Sequence, residues 1–483
     1  MKVIVIGAGA SGLASALEAA KRGYKVTVLE LKNEAGKKIY ATGNGRCNIT
    51  NKKMGVEYYN CDDYEFLEEI LKEFTYKDME DYFNKLGLKL TSIGDYVYPY
   101  SKRAASVVNV LLSACLEFGV EFIYNCNVKN IEKTKEGFVV TGNVLENKDY
   151  RKKYFTGDKV IVAAGGKAAK VLGSDGSGYY LLLKLSHKVS EVVPALVPLI
   201  CSDSDKKAYM KALAGVRSDA DIKVLDSDGA VAAKSAGEVQ FTDYGVSGIV
   251  VFQISGKVNQ MLKNSPKVDL VLDLMADINR EGLWADIIEY INSNIICTKK
   301  KSEDIELSKL EQLEKQKLEQ QIIEHQILGQ QETEQQEIEL ANRFIENNLN
   351  EKLAKVIVEK TKAEFFNYCK DNKNCQNNKN DQNNKNDKNV TNNTNIKSIV
   401  ESYIDILVNN IKNFKIQIVG SKDFDNAQVC RGGVSLKEVN ESFESKIVKG
   451  MYIVGEVLDV DGICGGYNLH FAFASGIIAG RNV

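Results

Sequence analysis

The chain has 483 residues, of which 44% are hydrophobic and 27% charged, and its formal net charge is −2 at pH 7. This composition is typical of a globular protein of two or three domains, and it gives no electrostatic reason to expect a nucleic acid or an anionic membrane as partner. No apolar run reaches the roughly 18 residues that a membrane helix needs, and the N-terminal segment does not have the pattern of a signal peptide. The ten cysteines form no C-x-x-C pair and the three histidines lie far apart, so we expect a cytoplasmic protein with reduced thiols and no metal site.

The first thirty residues carry a dinucleotide-binding motif. Residues 2–6 (KVIVI) and 25–29 (KVTVL) are short apolar runs that predict buried parallel strands. Between them lie a G-x-G-x-x-G loop (7–12) and a helical pattern, and Glu30 follows the second strand. In this order the elements predict that the helix N-terminus binds a pyrophosphate and that Glu30 binds an adenosine ribose. The motif does not distinguish FAD from NAD.

The next part of the chain continues this domain. Residues 33–51 are dense in Gly, Asn and Thr and show no periodicity, and we interpret them as a loop that runs along an extended cofactor. Residues 159–166 predict another parallel strand, whose final double glycine permits close approach of the backbone to a ligand. We interpret the glycine-rich segment 173–179 as a packing turn, since no strand precedes it. Helices are predicted at 66–86 and 104–118, and strands at 120–124, 128–131 and 137–141.

The pattern changes after residue 192. Residues 193–199 (VPALVPL) hold two of the four prolines, as expected for an extended segment that leaves one domain. Short strands separated by Asp-Gly and Gly turns then predict a small β-barrel inserted into the sheet domain. Its strands are predicted at 222–225, 231–234, 238–241 and 268–272, with a helix at 248–262.

A polar segment follows the barrel. Residues 300–350 are rich in Glu, Gln and Lys, and their apolar positions, such as Leu307, Leu310 and Leu313, are too irregular for a heptad seam. We interpret the segment as a solvated helix or helical hairpin, with a partner-binding coiled coil as the alternative. Residues 371–397 are almost free of apolar residues and predict disorder.

The C-terminal stretch returns to the nucleotide-binding domain. A predicted strand at 451–454 ends on Gly455 and Glu456, and a glycine-rich turn at 461–466 leads into a final helix. This layout would place a second carboxylate and a second helix N-terminus near the middle of the cofactor. In a flavoprotein of this kind the ribityl chain and pyrimidine ring lie there.

Five blocks resemble, in order, the BaiN-type flavoproteins, which are also described as aminoacetone oxidase-family FAD-binding enzymes. The blocks are GKKIYATGNGRCNITN (36–51), PALVPL (194–199), GEVQFTDYGVSG (237–248), GGVSLKEVN (432–440) and GEVLDVDGICGGYNL (455–469). The resemblance covers everything except about residues 300–397. It implies an α/β fold, with a two-dinucleotide-binding-type FAD (Rossmann-like) domain, an inserted small β-barrel and a helical subdomain. The expected boundaries are 1–190 and 425–483 for the FAD-binding domain, 191–275 and 412–424 for the barrel, and 276–411 for the helical insert.

By the same resemblance, FAD lies across the sheet. The fingerprint would hold its pyrophosphate, Val128 would meet the adenine through its backbone, and the C-terminal block would hold the ribityl and isoalloxazine end. Arg46 is a candidate partner for an anion or flavin O2, although a salt bridge within the loop is equally plausible. The expected FAD-binding residues are Gly7, Ala8, Gly9, Ala10, Ser11, Gly12, Glu30, Lys38, Thr42, Gly43, Arg46, Asn48, Val128, Gly165, Gly455, Glu456, Asp461, Gly466, Asn468 and Leu469.

The chain departs from the usual family pattern in three places. Cys430-Arg431 stands where Thr and a small residue are common, and His470-Phe471 replaces a frequent Gln-Trp pair. The polar stretch enlarges the helical insert. The second departure is expected near the flavin and bears on the choice of substrate.

These features favour an FAD-dependent oxidoreductase. Members of the family are linked to reduction of conjugated C=C bonds in enones of the bile-acid type. We expect a hydride to pass from NAD(P)H, bound transiently, through the flavin to a small apolar substrate. Candidate proton donors are Tyr244 and, more weakly, His470 and Cys464.

Two alternatives remain open at this point. One is a flavin-dependent tRNA-modifying enzyme, against which the net charge weighs. The other is a flavin-bearing assembly or sensor protein that uses its helical insert to dock a protein partner.

Overall fold

A computed structural model describes residues 1–306, 318–371 and 388–483, with side chains described in 1–295, 333–371 and 399–483. The chain divides into two compact units. The first contains Met1–Leu199, Val251–Asn264 and Gly420–Val483, and the second contains Ile200–Val250 and Ser265–Val419. In the described part of the chain, no helix is both long and apolar enough to cross a membrane.

The strands of the described residues are short. In chain order they are β1 (Lys2–Ile6), β2 (Lys25–Leu29), β3 (Thr50–Asn51), β4 (Tyr59–Cys61), β5 (Leu90–Ile93), β6 (Tyr96–Pro99), β7 (Glu121–Ile123), β8 (Cys126–Thr134), β9 (Gly137–Glu146), β10 (Asp149–Gly157), β11 (Lys159–Val162), β12 (Val193–Ala195), β13 (Leu199–Cys201), β14 (Arg217–Leu225), β15 (Val231–Phe241), β16 (Gly245–Ser247), β17 (Val268–Asp273), β18 (Phe414–Ser421), β19 (Val429–Arg431), β20 (Met451–Ile453) and β21 (Val460–Gly462).

The α-helices lie between these strands and in the insert. In chain order they are α1 (Ala10–Lys21), α2 (Lys37–Ala41), α3 (Tyr64–Glu73), α4 (Tyr76–Lys85), α5 (Ala104–Glu117), α6 (Ser177–Lys184), α7 (Asp203–Asp205), α8 (Lys211–Leu213), α9 (Ile249–Met261), α10 (Arg280–Glu306), α11 (Leu318–Asn348), α12 (Glu351–Asp371), α13 (Lys388–Lys412) and α14 (Tyr467–Asn482).

The first unit is built on a parallel sheet with the strand order β20-β11-β1-β2-β7. Its inner strands are almost wholly apolar because both faces of the sheet are buried, and helix α1 and the antiparallel strands β8 and β9 share the main core with it. The C-terminal helix α14 packs on the fingerprint helix α1, where Gly476 and Gly480 permit close approach. An added Cβ would lie 2.3 Å from the Ser11 carbonyl oxygen at Gly476 and 2.5 Å from that of Ser15 at Gly480. The predicted Rossmann-like domain is confirmed, and β20 and α14 near the C-terminus contribute to it.

The region predicted as one helix over 66–86 forms two. Helix α3 ends at Glu73, and Thr75 is the N-cap residue of α4. The Thr75 hydroxyl oxygen accepts from the Asp78 N–H, and the Asp78 carboxylate accepts from the Thr75 N–H. This reciprocal capping satisfies backbone donors at the start of α4, so a new helix begins there instead of α3 continuing.

A three-stranded antiparallel sheet, β8-β9-β10, also belongs to the first unit. One face carries Val128, Phe138 and Val140, which are buried in the main core. The hairpin β8–β9 was predicted from the sequence, but β10 was not, because its charged and aromatic residues show no apolar alternation.

The second unit contains a closed barrel with the strand order β13-β16-β15-β14-β17-β18. Along β14 the residues Ala220, Ile222 and Val224 are buried while their neighbours are more exposed, which is the alternation of a strand with one face to the core. The predicted barrel is confirmed. Its first and last strands, β13 and β18, lie more than 200 residues apart in the sequence.

Helices α10 to α13 form the helical insert. Tyr403 on α13 is buried, and its hydroxyl donates to the Asn342 side chain on α11 at 2.7 Å. Residues 372–387 of the tract predicted as disordered, together with Leu307, Leu310 and Leu313, lie outside the described residues. Residues 388–397 belong to α13, which corrects the prediction for that part. The helix continues into residues 400–411, where buried side chains such as Val400 and Ile404 stabilise it by packing.

Candidate functional site

The three fingerprint glycines have different surroundings. Gly7 has φ +103°, and an added Cβ would lie 2.4 Å from the Ala163 carbonyl oxygen. At Gly12 an added Cβ would lie 2.0 Å from the Gly7 carbonyl oxygen, so α1 packs against β1 only without a side chain there. At Gly9 no atom lies within 4 Å of an added Cβ. The first and third glycines therefore serve packing, and the second leaves the space that a ligand needs.

Helix α1 begins just after this space. Gly9 is its N-cap residue, and no side chain caps the first turn. The N–H groups of that turn thus keep their capacity to bind an anion, as the fingerprint predicts for a pyrophosphate.

Glu30 is the acidic residue of the fingerprint and directly follows β2. Its carboxylate oxygens accept from the Ala8 N–H at 2.6 Å and from the Lys32 N–H at 2.8 Å. Burial raises the pKa of this carboxyl, while these two N–H groups and the Lys32 charge oppose the rise. Each carboxylate oxygen has a second lone pair, so binding of a ribose hydroxyl is compatible with this bonding.

The expected adenine contact lies beside Glu30. The Cys126 N–H donates to the Glu30 carbonyl oxygen, which places β8, and with it the buried Val128, next to the end of β2. A β-bulge interrupts the ladder between Val128 and Asn130. Gly165, with φ +69°, follows β11, and an added Cβ there would meet the Ser174 hydroxyl oxygen at 3.0 Å.

The loop at 33–51 is more ordered than its composition predicted. It contains α2 and a 3-10 turn at Thr42–Gly45, because the Gly36 N–H bonds to the Ala8 carbonyl oxygen and Ile39 is buried in the core. Gly43 and Asn44 have left-handed backbone conformations. Arg46 is exposed.

The side chain of Asn48 stands out in this loop. Its Oδ1 atom is buried and has no hydrogen-bond partner within the protein. An added Cβ at Gly466, which has φ +94°, would lie 2.9 Å from that atom. Because buried polar atoms are rarely left unpaired, Asn48 is suited to a ligand that binds at the start of α14.

Glu456 and Lys38 connect the two ends of the chain. Lys38 Nζ lies 2.7 Å from Glu456 Oε2, and Glu456 Oε1 accepts from the Cys430 N–H at 3.2 Å. Gly455 has φ +76°, and an added Cβ would lie 2.4 Å from the Ser11 hydroxyl oxygen. The C-terminal block thus lies directly against the fingerprint helix.

Asp461 forms a buried ion pair with Arg431. Arg431 Nε lies 3.0 Å from Asp461 Oδ1, and Nη2 lies 3.0 Å from Oδ2. Both side chains are buried, and burial raises the pKa of Asp461, with Arg431 opposing the rise. From the sequence, Arg431 was visible only as a departure from the family pattern; its place at the end of β19, directly before a double glycine, was the available signal.

Asn468 and Leu469 begin α14. The Asn468 side chain accepts from the Gly462 N–H at 2.8 Å and donates to the Gly462 carbonyl oxygen at 2.6 Å, which fixes the preceding turn. Leu469 packs against the main core. Gly466 is the N-cap residue of α14, and no side chain caps the first turn.

The three candidate proton donors fall in different environments. His470 is buried, with Nδ1 2.8 Å from the Thr50 hydroxyl and Nε2 3.0 Å from the Phe74 carbonyl oxygen. Burial lowers the pKa of His470 to about 4, so the ring is neutral near pH 7. Because both ring nitrogens are also hydrogen-bonded within the protein, His470 is a poor candidate for a proton donor. Burial raises the pKa of the Cys464 thiol to about 12. Tyr244 lies in the second unit, where its carbonyl oxygen accepts from the Cys201 N–H.

The first unit therefore fits a flavin dinucleotide. It offers an open space at Gly9, two helices without side-chain caps (α1 and α14), and an unpaired acceptor on Asn48. These features match the polar, anionic and extended character of FAD, and they come from both ends of the chain.

A family model matches residues 1–482, with the description HI0933-like protein Rossmann domain. The chain belongs to this family. Its relative 3-dehydro-bile acid delta(4,6)-reductase from Clostridium scindens is 33% identical over 483 residues, which cover 99% of this chain and 98% of the relative. The resemblance to BaiN-type flavoproteins is confirmed, and the protein is a flavin-dependent oxidoreductase.

Two more distant relatives share a different name. Ribosomal RNA dihydrouridine synthase from Haemophilus influenzae is 25% identical, with 98% of this chain and 96% of the relative covered. The protein of that name from Escherichia coli is 24% identical, with 98% and 95% covered.

Proposed function

We propose that the protein uses FAD to reduce a C=C bond conjugated to a carbonyl group, with NAD(P)H as the electron donor. The full-length relationship to a bile-acid reductase at 33% identity carries this proposal. An apolar steroid-like enone is the substrate class it favours. The dihydrouridine synthases support the same bond type, because the C5=C6 bond of uracil is also conjugated to a carbonyl.

Different residues of the first unit would bind different parts of the cofactor. The N–H groups of α1 would bind the pyrophosphate, and Glu30 the adenosine ribose. Glu456, Asn48 and the start of α14 would hold the ribityl and isoalloxazine end. Bound FAD supplies the hydride transfer, and the protein supplies orientation and electrostatics.

The protein must also supply a proton to the substrate α-carbon. Of the three candidates, Tyr244 fits this role best, since His470 is buried and fully hydrogen-bonded. Cys464, with a pKa of about 12, carries no thiolate near neutral pH and does not suit a redox relay. A positioned general acid contributes roughly 10²–10⁴-fold to a rate.

Anaerobic half-reactions test the proposal. The flavin should bleach with NADH or NADPH and reoxidise with a steroid 4,6-dien-3-one, but not with the saturated 3-ketone as matched control. The Tyr244→Phe variant should keep its rate of reduction and lose roughly 10²-fold or more in the rate of reoxidation. A folded protein without bound flavin, or a reduced flavin that no conjugated carbonyl compound reoxidises, would contradict the proposal.

A uridine in RNA is the second candidate substrate, on the strength of the two dihydrouridine synthases. A uridine-containing oligonucleotide in place of the enone distinguishes the two. Reoxidation by the oligonucleotide with formation of dihydrouridine would favour RNA, and reoxidation by the dienone alone would favour the steroid class.

A further inference from the structure

The small antiparallel sheet of β3, β6 and β5 has one buried face and one open face. Val97 on the central strand β6 is buried, and its neighbours Tyr96 and Tyr98 lie on the opposite face because side chains alternate along a strand. Ile93 on β5 pairs with Tyr96 and therefore shares this open face. Tyr96 is 44% exposed and Ile93 is 47% exposed, although such side chains are usually buried. We refer to Ile93, Tyr96 and Tyr98 as the apolar wall.

The apolar wall lies next to the turn that precedes α14. On the other side of β6, Tyr96 pairs with Asn51 of β3, whose side-chain amide donates to the Gly465 carbonyl oxygen at 3.0 Å. Gly465 has φ +143°, and an added Cβ there would lie 3.2 Å from Cε1 of the Tyr96 ring. The next residue, Gly466, is the N-cap residue of α14. The Tyr96 ring therefore packs against the turn at which the isoalloxazine end of FAD would bind.

A second pair of rings supports this turn. The same added Cβ at Gly465 would lie 2.8 Å from Cε2 of Tyr467. The Tyr467 ring is buried and stacks on the ring of Tyr58, with a distance of 4.9 Å between the ring centroids and an angle of 23° between the planes. Because the rings of Tyr96 and Tyr467 both approach Gly465 this closely, packing fixes the position of Tyr96 relative to the start of α14.

Polar groups of the loop at 42–48 border the apolar wall. Arg46 is exposed, and its charge opposes the rise in pKa that partial burial causes at the Tyr98 hydroxyl, so the guanidinium lies near this phenol. The unpaired Oδ1 atom of Asn48 lies beside Gly466, one residue after the glycine that Tyr96 contacts. Small-molecule sites typically combine apolar walls with a few convergent polar groups, and this surface of the first unit has both.

We propose that the apolar wall binds the fused-ring part of the substrate beside the flavin, with Tyr96 and Tyr98 as specificity-determining residues. This inference rests on the proposed reduction of an apolar enone. The two tyrosines are about 7 Å apart along β6, so one flat multi-ring molecule covers both rings. Burial of the ring faces against this molecule supplies the binding free energy.

Binding of a steroid to the oxidised holoenzyme tests the apolar wall without turnover. A steroid 4,6-dien-3-one is titrated in the absence of NAD(P)H, and the change in flavin absorbance gives its dissociation constant. Tyr96→Ala should raise this constant about 10-fold, because the contact area of one ring is lost. Tyr96→Phe, which keeps the ring, should stay within about 2-fold of the wild type. In steady-state turnover Tyr96→Ala should raise KM for the dienone and leave kcat nearly unchanged.

Tyr150→Ala is the matched control. Tyr150 is also an exposed tyrosine on a three-stranded antiparallel sheet, but that sheet is β8-β9-β10. Its loss should leave the dissociation constant of the dienone unchanged. Circular dichroism and the content of bound FAD check that both alanine variants fold.

Nitration of tyrosine by tetranitromethane gives a second readout that needs no variant. Bound dienone should protect Tyr96 of the wild type from nitration, whereas Tyr150 should be nitrated equally with and without the steroid, as measured by mass spectrometry of peptides.

Four results would each overturn the inference: wild-type steroid affinity in Tyr96→Ala, an equal loss of affinity in Tyr96→Phe, an equal loss in Tyr150→Ala, or full nitration of Tyr96 with the steroid bound. Reoxidation of the reduced wild-type flavin by the same dienone tests the proposed reaction separately, so a failure of the apolar wall is distinguishable from a failure of the reaction.

Discussion

The buried imidazole of His470 leads to a specific prediction for stability against pH. The ring lies inside the first unit, with its Nε2 atom near the Phe74 carbonyl oxygen and its Nδ1 atom near the Thr50 hydroxyl. A neutral ring that donates from Nε2 and accepts at Nδ1 satisfies both partners. A second proton would place a positive charge on this fully buried ring, and burial penalises the charged form.

The magnitude follows from the pKa of this group. Burial lowers it from 6.5 to about 4 in the folded protein. Above pH 6.5 both folded and unfolded states are neutral here and the full stability is present. As the pH falls from 6.5 towards 4, the unfolded state takes up the proton first, and about 3 kcal/mol of folding free energy is lost.

The His470→Gln variant isolates this effect. Glutamine has a donor and an acceptor for the same two partners but does not titrate in this range, so it removes the pH-dependent loss. Urea unfolding by circular dichroism, at pH 7 and pH 4, gives the free energy of unfolding of both proteins. The variant should gain about 3 kcal/mol relative to the wild type between these pH values, because all other titrating groups cancel in the difference. Fluorescence of the single tryptophan, Trp284, provides a second probe of two-state unfolding. A wild-type-to-variant difference that is independent of pH would refute the reasoning.

Three other substitutions test the pyrophosphate site and two ion pairs. Gly9→Ala should fold with wild-type stability but lose most of its affinity for FAD in equilibrium dialysis. Gly420→Ala, which also has open space for a Cβ, is the control and should bind FAD normally. Equal FAD affinities of the two variants would exclude Gly9 from the pyrophosphate site. Arg431→Met should lower the free energy of unfolding by about 3–5 kcal/mol, because Asp461 is left buried and unpaired, and adding Asp461→Leu should recover part of this loss. Lys412→Met should cost about 2–3 kcal/mol in chemical unfolding, since that partly buried ammonium pairs with the Asp273 carboxylate and donates to the Met275 and Ile278 carbonyl oxygens. An unchanged unfolding midpoint would contradict this prediction.

The sequence by itself determined the elements whose signal is local. The strand–glycine–helix–strand pattern of residues 2–30 specifies the fingerprint, because turn chemistry and side-chain period act over a few residues. Alternating strands with Gly turns likewise specified the barrel. The return of the C-terminal segment to the Rossmann-like domain was also predictable, since its own strand, glycine turn and helix repeat the same local pattern.

Tertiary structure alone decided how the site is connected. Lys38 and Glu456 are 418 residues apart, and Arg431 and Asp461 are 30 apart, with no periodic pattern joining either pair. The loss of His470 as a candidate proton donor follows from burial by Thr50 and Phe74, which lie about 400 residues away. Burial and long-range pairing depend on how all elements pack together, and a local pattern contains no information about that packing.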